Sequence, residues 1–324
     1  MYKKKFFKIF CSVIFFCLLL IACSKQNTNT ANIDEDIFNM ENNNIRQQVD
    51  YKFHFGPKNI ENPVKINEES LEYDMKFENL GGPAEFGIII VADGIPQKVK
   101  LEDDLAIMHK VSLDTKESKE YKFIINKQDL NINDGEEHII HPIVILEPDY
   151  IPQNITPFTH EGSLNASLGI PFYYTSDIKK DIKIGHVDSI KIDDQFRKEY
   201  NLDREVKVSC EILWSIDDPN VPFISHEDLK QGFDINLIGN VLGEMRVFLF
   251  VDNKPVKING YDFYDVKIQK GMVSKIHVDF TEDFISNLKD NTPMFLLATP
   301  KNLDSIDTWT CKTNTKIIKR VADE

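Results

Sequence analysis

The chain is poor in the residues that most catalytic chemistry needs. Its 324 residues include 8 His and 5 Cys, and two of those cysteines, Cys11 and Cys17, lie in an apolar leader. It contains no glycine-rich phosphate loop, no Gly-x-Ser-x-Gly elbow and no His-Glu-x-x-His run. Those gaps remove the sequence signatures of phosphate-loop NTPases, α/β-hydrolases and zinc proteases. Basic charge is also scarce: 38 Lys and Arg face 52 Asp and Glu, for a formal net charge of −14. Such a balance opposes binding to nucleic acid or to an anionic membrane surface. Long helical periodicity is missing too, which argues against an α/β architecture.

The most specific stretch is the first one. Lys3, Lys4, Lys5 and Lys8 precede an uncharged apolar run, Ile9 to Ile21, which ends in Leu20-Ile21-Ala22-Cys23-Ser24. The run has the length of a signal-peptide core and is short for a membrane span. The ending resembles the lipobox of bacterial lipoproteins. The resemblance implies cleavage before Cys23 and a diacylglycerol on its sulfur, so that palmitate-type chains hold the protein at the membrane. Two acyl chains suffice for stable anchoring, because each buried methylene contributes about 0.8 kcal/mol. An ordinary signal peptide or signal anchor with a chance cysteine is the competing reading.

Residues 1–22 are thus expected to be a signal peptide, and removing them leaves about 300 residues, enough for two domains. The leader holds four lysines and no acid, so the remainder is near −18. Residues 23–49 begin with the lipidated Cys23 and continue rich in Asn, Gln, Thr and acids, the composition of a flexible tether. Cys210 and Cys311 are the remaining cysteines. Cys210 shares one face of an alternating segment with Val206, Val208 and Ile212, and Cys311 shares a face with Trp309. A disulfide between them and two free core thiols both fit.

From Tyr51 onward short segments alternate between apolar and polar residues. Tyr51, Phe53 and Phe55 form one such segment, and Leu71, Tyr73, Met75 and Phe77 another; Phe86 to Val91 is a continuous apolar run. Tyr121 to Ile125 and His138 to Leu146 add two more strands. Many short strands at roughly ten-residue spacing predict β-sandwiches. The plan then recurs. Asp74 to Gln97 aligns with Asp234 to Val256 at offsets of 159–160, and the segments around Phe123 and Ile139 align with those around Val278 and Met294 at about 155. Both copies place an Asp-containing turn before a Pro: Asp93 and Pro96, then Asp252 and Pro255. Order and offset held over such a length predict two copies of one domain. Thr281 should cap a short helix ending near Leu288, and Asn126 to Asn133 should be its counterpart turn. Ile190 to Tyr200 reads as a strand edge or one short helix. The last strand is expected within Trp309 to Ile318.

Site candidates are few. Asp129 to Gly135 carries oxygen side chains at alternate positions, but its Gly falls one place late for a calcium loop and Ile140 stands at position twelve, so a polar turn fits better. His138 and His141 would point to opposite faces of a strand and could not easily share an ion; Pro142 favours an edge or a bulge. His160-Glu161, His226-Glu227-Asp228, Glu102-Asp103-Asp104 and Asp217-Asp218 read as solvated loop clusters; the last two are candidates for weak Ca²⁺ binding.

The expected architecture is all-β: domain 1 over 50–180 and domain 2 over 181–324, with a connecting segment at 181–203. The pattern is similar to the immunoglobulin-like sandwiches of bacterial surface proteins, although Cys210, Trp214 and Cys311 do not follow antibody-type spacing. No apolar run in the connection promises an extensive core between the domains, so a limited, polar contact is expected. The implied function is binding or structural, at the extracytoplasmic face of the cell membrane and probing an envelope or host protein or glycan. Neither a catalytic centre, a metal nor a cofactor is expected, and nucleic acid is excluded as a partner. A ligand-capturing lipoprotein serving a transporter or receptor is the alternative. The low-GC flavour of the composition points weakly to a Gram-positive surface.

Overall fold

The structure is a computed structural model and describes residues 50–57, 64–65, 70–132, 138–149, 164–166, 170–173, 181–200, 202, 210–215, 223–301 and 310–319. The leader, Cys23 and the tether lie outside these residues. Everything described belongs to one compact unit, residues 47–324.

The first half comprises β1 (Tyr51–Pro57), β2 (Val64–Lys65), β3 (Ser70–Asn79), β4 (Ala84–Ala92), β5 (Ile95–Pro96), β6 (Val99–Leu101), β7 (Asp104–Ala106), β8 (Met108–Leu113), β9 (Ser118–Asn126), β10 (His138–Leu146), β11 (Leu164–Ala166) and β12 (Ile170–Tyr173). The second comprises β13 (Ile184–His186), β14 (Ser189–Lys191), α1 (Asp194–Glu199), β15 (Glu211–Trp214), β16 (Phe223–Ser225), α2 (His226–Lys230), β17 (Phe233–Ile238), β18 (Gly243–Val251), β19 (Lys254–Val256), β20 (Phe263–Ile268), β21 (Met272–Val278), α3 (Glu282–Asn287), β22 (Thr292–Pro300), β23 (Cys311–Lys312) and β24 (Lys316–Lys319).

The protein is all-β, and each half is a sandwich of two sheets. In the first half, one sheet runs β1-β3-β9-β6-β7, and the other β2-β12-β10-β4-β5 with β8 on β4 and β11 on β10. In the second, one sheet runs β14-β21-β17-β15, and the other β13-β20-β18-β22-β24-β16. The strand order matches. The antiparallel trio β1-β3-β9 corresponds to β15-β17-β21, and β8-β4-β10 to β20-β18-β22. This is the immunoglobulin-like arrangement that the repeat predicted.

The alternation in the sequence explains the layers. Odd residues of β3, from Leu71 to Phe77, point inward and are buried with Phe86, Ile88 and Ile90 of β4 and Ile140 and Val144 of β10. In the second half Ile235 and Leu237 of β17 face Met245, Val247 and Leu249 of β18 and Leu296 of β22. Outward-facing residues of the outer sheet of the first half are charged and paired, as in Lys52–Glu78 at 2.7 Å. The sheet β4–β10, by contrast, is apolar on both faces. Ile89, Val91, Ile143 and Ile145 turn away from their own core and pack against Phe248, Phe250, Phe295 and Leu297 of the other half. The molecule is therefore a stack of four sheets with three apolar layers. The expectation of a limited, polar contact is overturned. The apolar runs that fill this layer are interior strands of their sheets, and their second apolar face is what another sheet must cover.

Three local expectations need adjustment. Pro142 lies inside β10, a central strand, without a bulge. On that side β12 pairs with His138 to Ile140 and β11 with Ile143 to Ile145, so Pro142 sits in the gap between two partners, where its missing N–H is not needed. Ile190 to Tyr200 holds both alternatives in succession, β14 and then α1, whose cap is the Asp193 carboxylate accepting from the Phe196 N–H. The final strand is split into β23 and β24; Trp309 lies outside the described residues. Thr281 does cap α3 by accepting from the Phe284 N–H, and its counterpart is a single 3-10 turn, Lys127–Asp129.

Candidate functional site at the junction of the sandwiches

Two equivalent hairpin turns meet the junction. Asp93-Gly94 joins β4 to β5, and Asp252-Asn253 joins β18 to β19. All four residues have positive φ, between 48° and 73°, as a two-residue type I′ hairpin requires. In each turn the Asp N–H is accepted by the neighbouring strand, from Asp93 to the Ile139 carbonyl at 2.8 Å and from Asp252 to the Pro293 carbonyl at 2.9 Å.

The first turn is the richer one. The Asp93 carboxylate accepts from the Ile139 N–H at 2.9 Å and from His138 Nδ1 at 2.6 Å. Its backbone carbonyl accepts from Arg246, and the Gly94 carbonyl accepts from Thr299 Oγ1 at 2.6 Å. Arg246 continues the polar chain. Its Nε donates to Asp265 Oδ1 at 3.1 Å, and its guanidinium sits 5.0 Å from the Phe263 ring centroid. Lys301 completes the group with Asp265 at 3.0 Å and Glu244 at 3.1 Å. Arg246 and Asp265 are nearly buried, so this is a paired charge network of the second half that reaches the first through the Asp93 backbone carbonyl.

The Asp93–His138 pair resembles a His–carboxylate dyad. Asp93 spends one oxygen on a backbone amide, and the Thr299 hydroxyl donates to the Gly94 carbonyl. These bonds fix the turn against the other sandwich. On the same layer His141 lies on the face of Ile143 and Ile145, with 8% exposure. Burial without charge compensation pushes its imidazole down to about 4, so it is neutral near pH 7. The second turn docks in return: Asn253 donates to the Asp149 carboxylate, just beyond β10, and Asp149 pairs with Lys110. Each sandwich thus sets its hairpin near the end of the other's long central strand, as subunits do across an isologous interface.

His138 and His141 do face opposite sides of β10. Glu102-Asp103-Asp104 forms the exposed turn between β6 and β7, where Asp103 pairs with Lys100 at 3.2 Å and Asp104 with His109 at 3.4 Å. His226-Glu227-Asp228 belongs to α2, where Asp228 and Ser225 form a capping box. Around that helix is a surface hollow of about 430 Å³ lined by His226, Lys230, Glu282, Ile285 and Ser286. Asp129 accepts from Asn126 Nδ2 at 2.8 Å; the rest of the Asp129 to Gly135 segment is described only as far as Ile132. His160-Glu161 and Asp217-Asp218 lie outside the described residues. Among the described residues no three His, Cys, Asp or Glu side chains come together as a metal cluster. Cys210 and Cys311, a hundred residues apart in sequence, meet with their Sγ atoms 2.7 Å apart.

Sequence reasoning missed Arg246. Its signal was present: in Gly243-Glu-Met-Arg-Val-Phe-Leu-Phe-Val251 the arginine alternates with Phe248 and Phe250 and so shares their face.

Comparison with protein-family models finds no match, and neither does comparison with curated proteins. Among solved structures, the CARDB domain of a Pyrococcus furiosus protein is 16% identical over 39% of this chain and 92% of that one, with a TM-score of 0.23. The periplasmic chaperone SfaE is 10% identical over 83% of this chain and all of that one, at 0.22, and the E. coli chaperone DraB 9% identical over 83% and 98%, at 0.24. At these TM-scores the likenesses carry no argument about activity.

Proposed function

We propose that this chain is a lipid-anchored extracytoplasmic protein whose two fused sandwiches act as a rigid binding or structural module, without catalytic activity of their own. The observation that supports this reading most is the shared apolar layer between the halves. Phe248, Phe250, Phe295 and Leu297 fill the junction, where a ligand-capturing protein would keep an open cleft. What remains outward is the charged face of the β1-β3-β9 sheet, with its loops and strand edges, which suits contact with a protein or glycan of the envelope or of a host. The net charge keeps the body away from anionic lipid. The lipobox-like leader assigns the anchor to Cys23, after which about 25 tether residues reach on the order of 25–30 Å.

The anchor is tested by fractionating cells that express the wild-type chain or Cys23→Ala. The wild type should stay with the membrane after a salt wash, and the variant should be released or left uncleaved. A Cys23→Ala chain that is processed and retained like wild type rejects the anchor. The binding role is tested by capture of envelope or host-surface components on the immobilised protein, with hydrolase screens on peptidoglycan, ester and phosphoester substrates expected blank. A turnover abolished by one His or carboxylate substitution would reject the non-catalytic reading.

A further inference from the structure

We propose that Cys210 and Cys311 form a structural disulfide that staples the two sheets of the second sandwich along its β15 side. Cys210 immediately precedes β15, the edge strand of one sheet, and Cys311 opens β23, on the other sheet. Their Sγ atoms lie 2.7 Å apart, closer than unbonded sulfurs pack. A disulfide, at about 2.05 Å, is then a small side-chain rotation away. Both residues cover the same apolar core: Cys210 is 8% exposed beside Ile212 and Trp214, and Cys311 packs against the same cluster.

Other uses of a cysteine pair fit less well. A metal site needs further ligands, and among the described residues no group of three His, Cys, Asp or Glu assembles. A catalytic or exchanging thiol needs accessible thiolate at neutral pH. Burial, reinforced by contact with Cys210, pushes the Cys311 thiol up and away from that state.

The two halves show why a staple is placed here. The edge strand β1 of the first half pairs with β3 over seven residues, Tyr51 to Pro57. Among the described residues its counterpart β15 pairs with β17 over four, and β23 pairs with β22 at Leu297 and Ala298, with Thr313 bonded to Leu296 just beyond. A covalent bond between these two short segments replaces pairing length that the first half has. It also closes a loop of about a hundred residues, which removes much freedom from the unfolded chain.

The oxidation balances with a small-molecule disulfide of the glutathione type. One protein thiolate attacks a sulfur of that disulfide, forming a mixed disulfide and releasing one small thiol. The second protein thiol, losing its proton, displaces the other small thiol and forms the Cys210–Cys311 bond. Two protein thiols are oxidised and one small disulfide is reduced to two thiols. This persistence in the cell rests on the extracytoplasmic reading above, because reducing compartments keep such pairs open.

The test uses the full chain in two preparations. One is taken directly from its cells with free thiols alkylated at lysis; the other is refolded from denaturant in reduced and oxidised glutathione. Trypsin should release the peptide 208–230 linked to the peptide 302–312 in both. Reduction, or the double variant Cys210→Ala/Cys311→Ala, should lower the unfolding temperature by on the order of 10 °C. Alkylation of both cysteines in the folded, glutathione-treated wild type would overturn the bond, and an unfolding temperature unmoved by reduction would overturn the stapling role. Should the double variant fail to fold, the linked peptide and the reduction shift in wild type still decide. A chain that is bonded after glutathione treatment but open when taken from its cells would support the bond and reject the extracytoplasmic reading.

Discussion

Asp93-Gly94 and Asp252-Asn253 occupy the same place in the two sandwiches and share one backbone conformation, yet they carry different loads. The first turn gives two carbonyls to the other half, through Arg246 and Thr299, and a carboxylate to its own strand. The second offers one amide to Asp149 and leaves Asp252 exposed. A Cβ on Gly94 would collide with the Pro300 backbone carbonyl, whereas Asn253 carries a full side chain at the equivalent position. One hairpin geometry, duplicated, has been tightened on one side into a docking element and kept on the other as an ordinary turn. Local sequence sets the turn type; the surface that it meets sets how much substitution it tolerates.

The largest effect is expected where both halves share the apolar layer. Phe250 stacks on Phe295 at 4.9 Å between ring centroids. Phe250→Ala should cost about 3–5 kcal/mol. Because the layer joins the sandwiches, wild type should melt in one transition in calorimetry, and the variant should broaden or split it. A wild type that already melts in two well-separated steps would contradict the shared core.

The turns themselves come next. Gly94→Ala combines a left-handed backbone with a backbone collision and should cost about 3 kcal/mol or more. Asn253→Gly keeps the conformation, loses one hydrogen bond and should cost about 1 kcal/mol. Equal losses in denaturant titrations would erase the asymmetry.

Arg246→Ala should cost about 3 kcal/mol, since it strips a nearly buried partner from Asp265 and a donor from the Asp93 carbonyl. Retention of Lys301 beside Asp265 limits the loss, so Arg246→Ala with Lys301→Ala should exceed the sum of the two single changes.

The smallest effect at neutral pH concerns His141. Its folded-state value is about 4, below the ordinary 6.5, so between these values the unfolded chain binds the extra proton. Stability is therefore intact above about pH 6.5, falls as pH drops from 6.5 to 4, and is lost by about 3 kcal/mol below that window. His141→Leu should flatten the fall in unfolding temperature between pH 6.5 and 4; an unchanged slope would place the acid sensitivity elsewhere.

Much of this was legible beforehand. The alternation of Leu71, Tyr73, Met75 and Phe77 identified an inward face, and the constant offset between Asp93 and Asp252 located equivalent hairpins. The cysteine pair was named, though its two states could not be ranked, because alternation gives the facing of a residue and not its distance from another strand. The junction was not legible, because its apolar surface lies on the second face of the central strands and not on the connecting segment.

The amino-acid sequence alone determined the strands, their inward faces, the paired Asp-containing turns and the duplication, because each depends on the period of apolar residues and on turn residues within a few positions. Tertiary structure decided the rest: that Ile89, Ile143, Phe248 and Phe295 form a third layer, that Arg246 reaches the Asp93 turn, and that Cys210 meets Cys311. Those outcomes depend on how sheets stack and which turn faces which strand, and contacts between residues a hundred or more positions apart leave no period in the chain that encodes them.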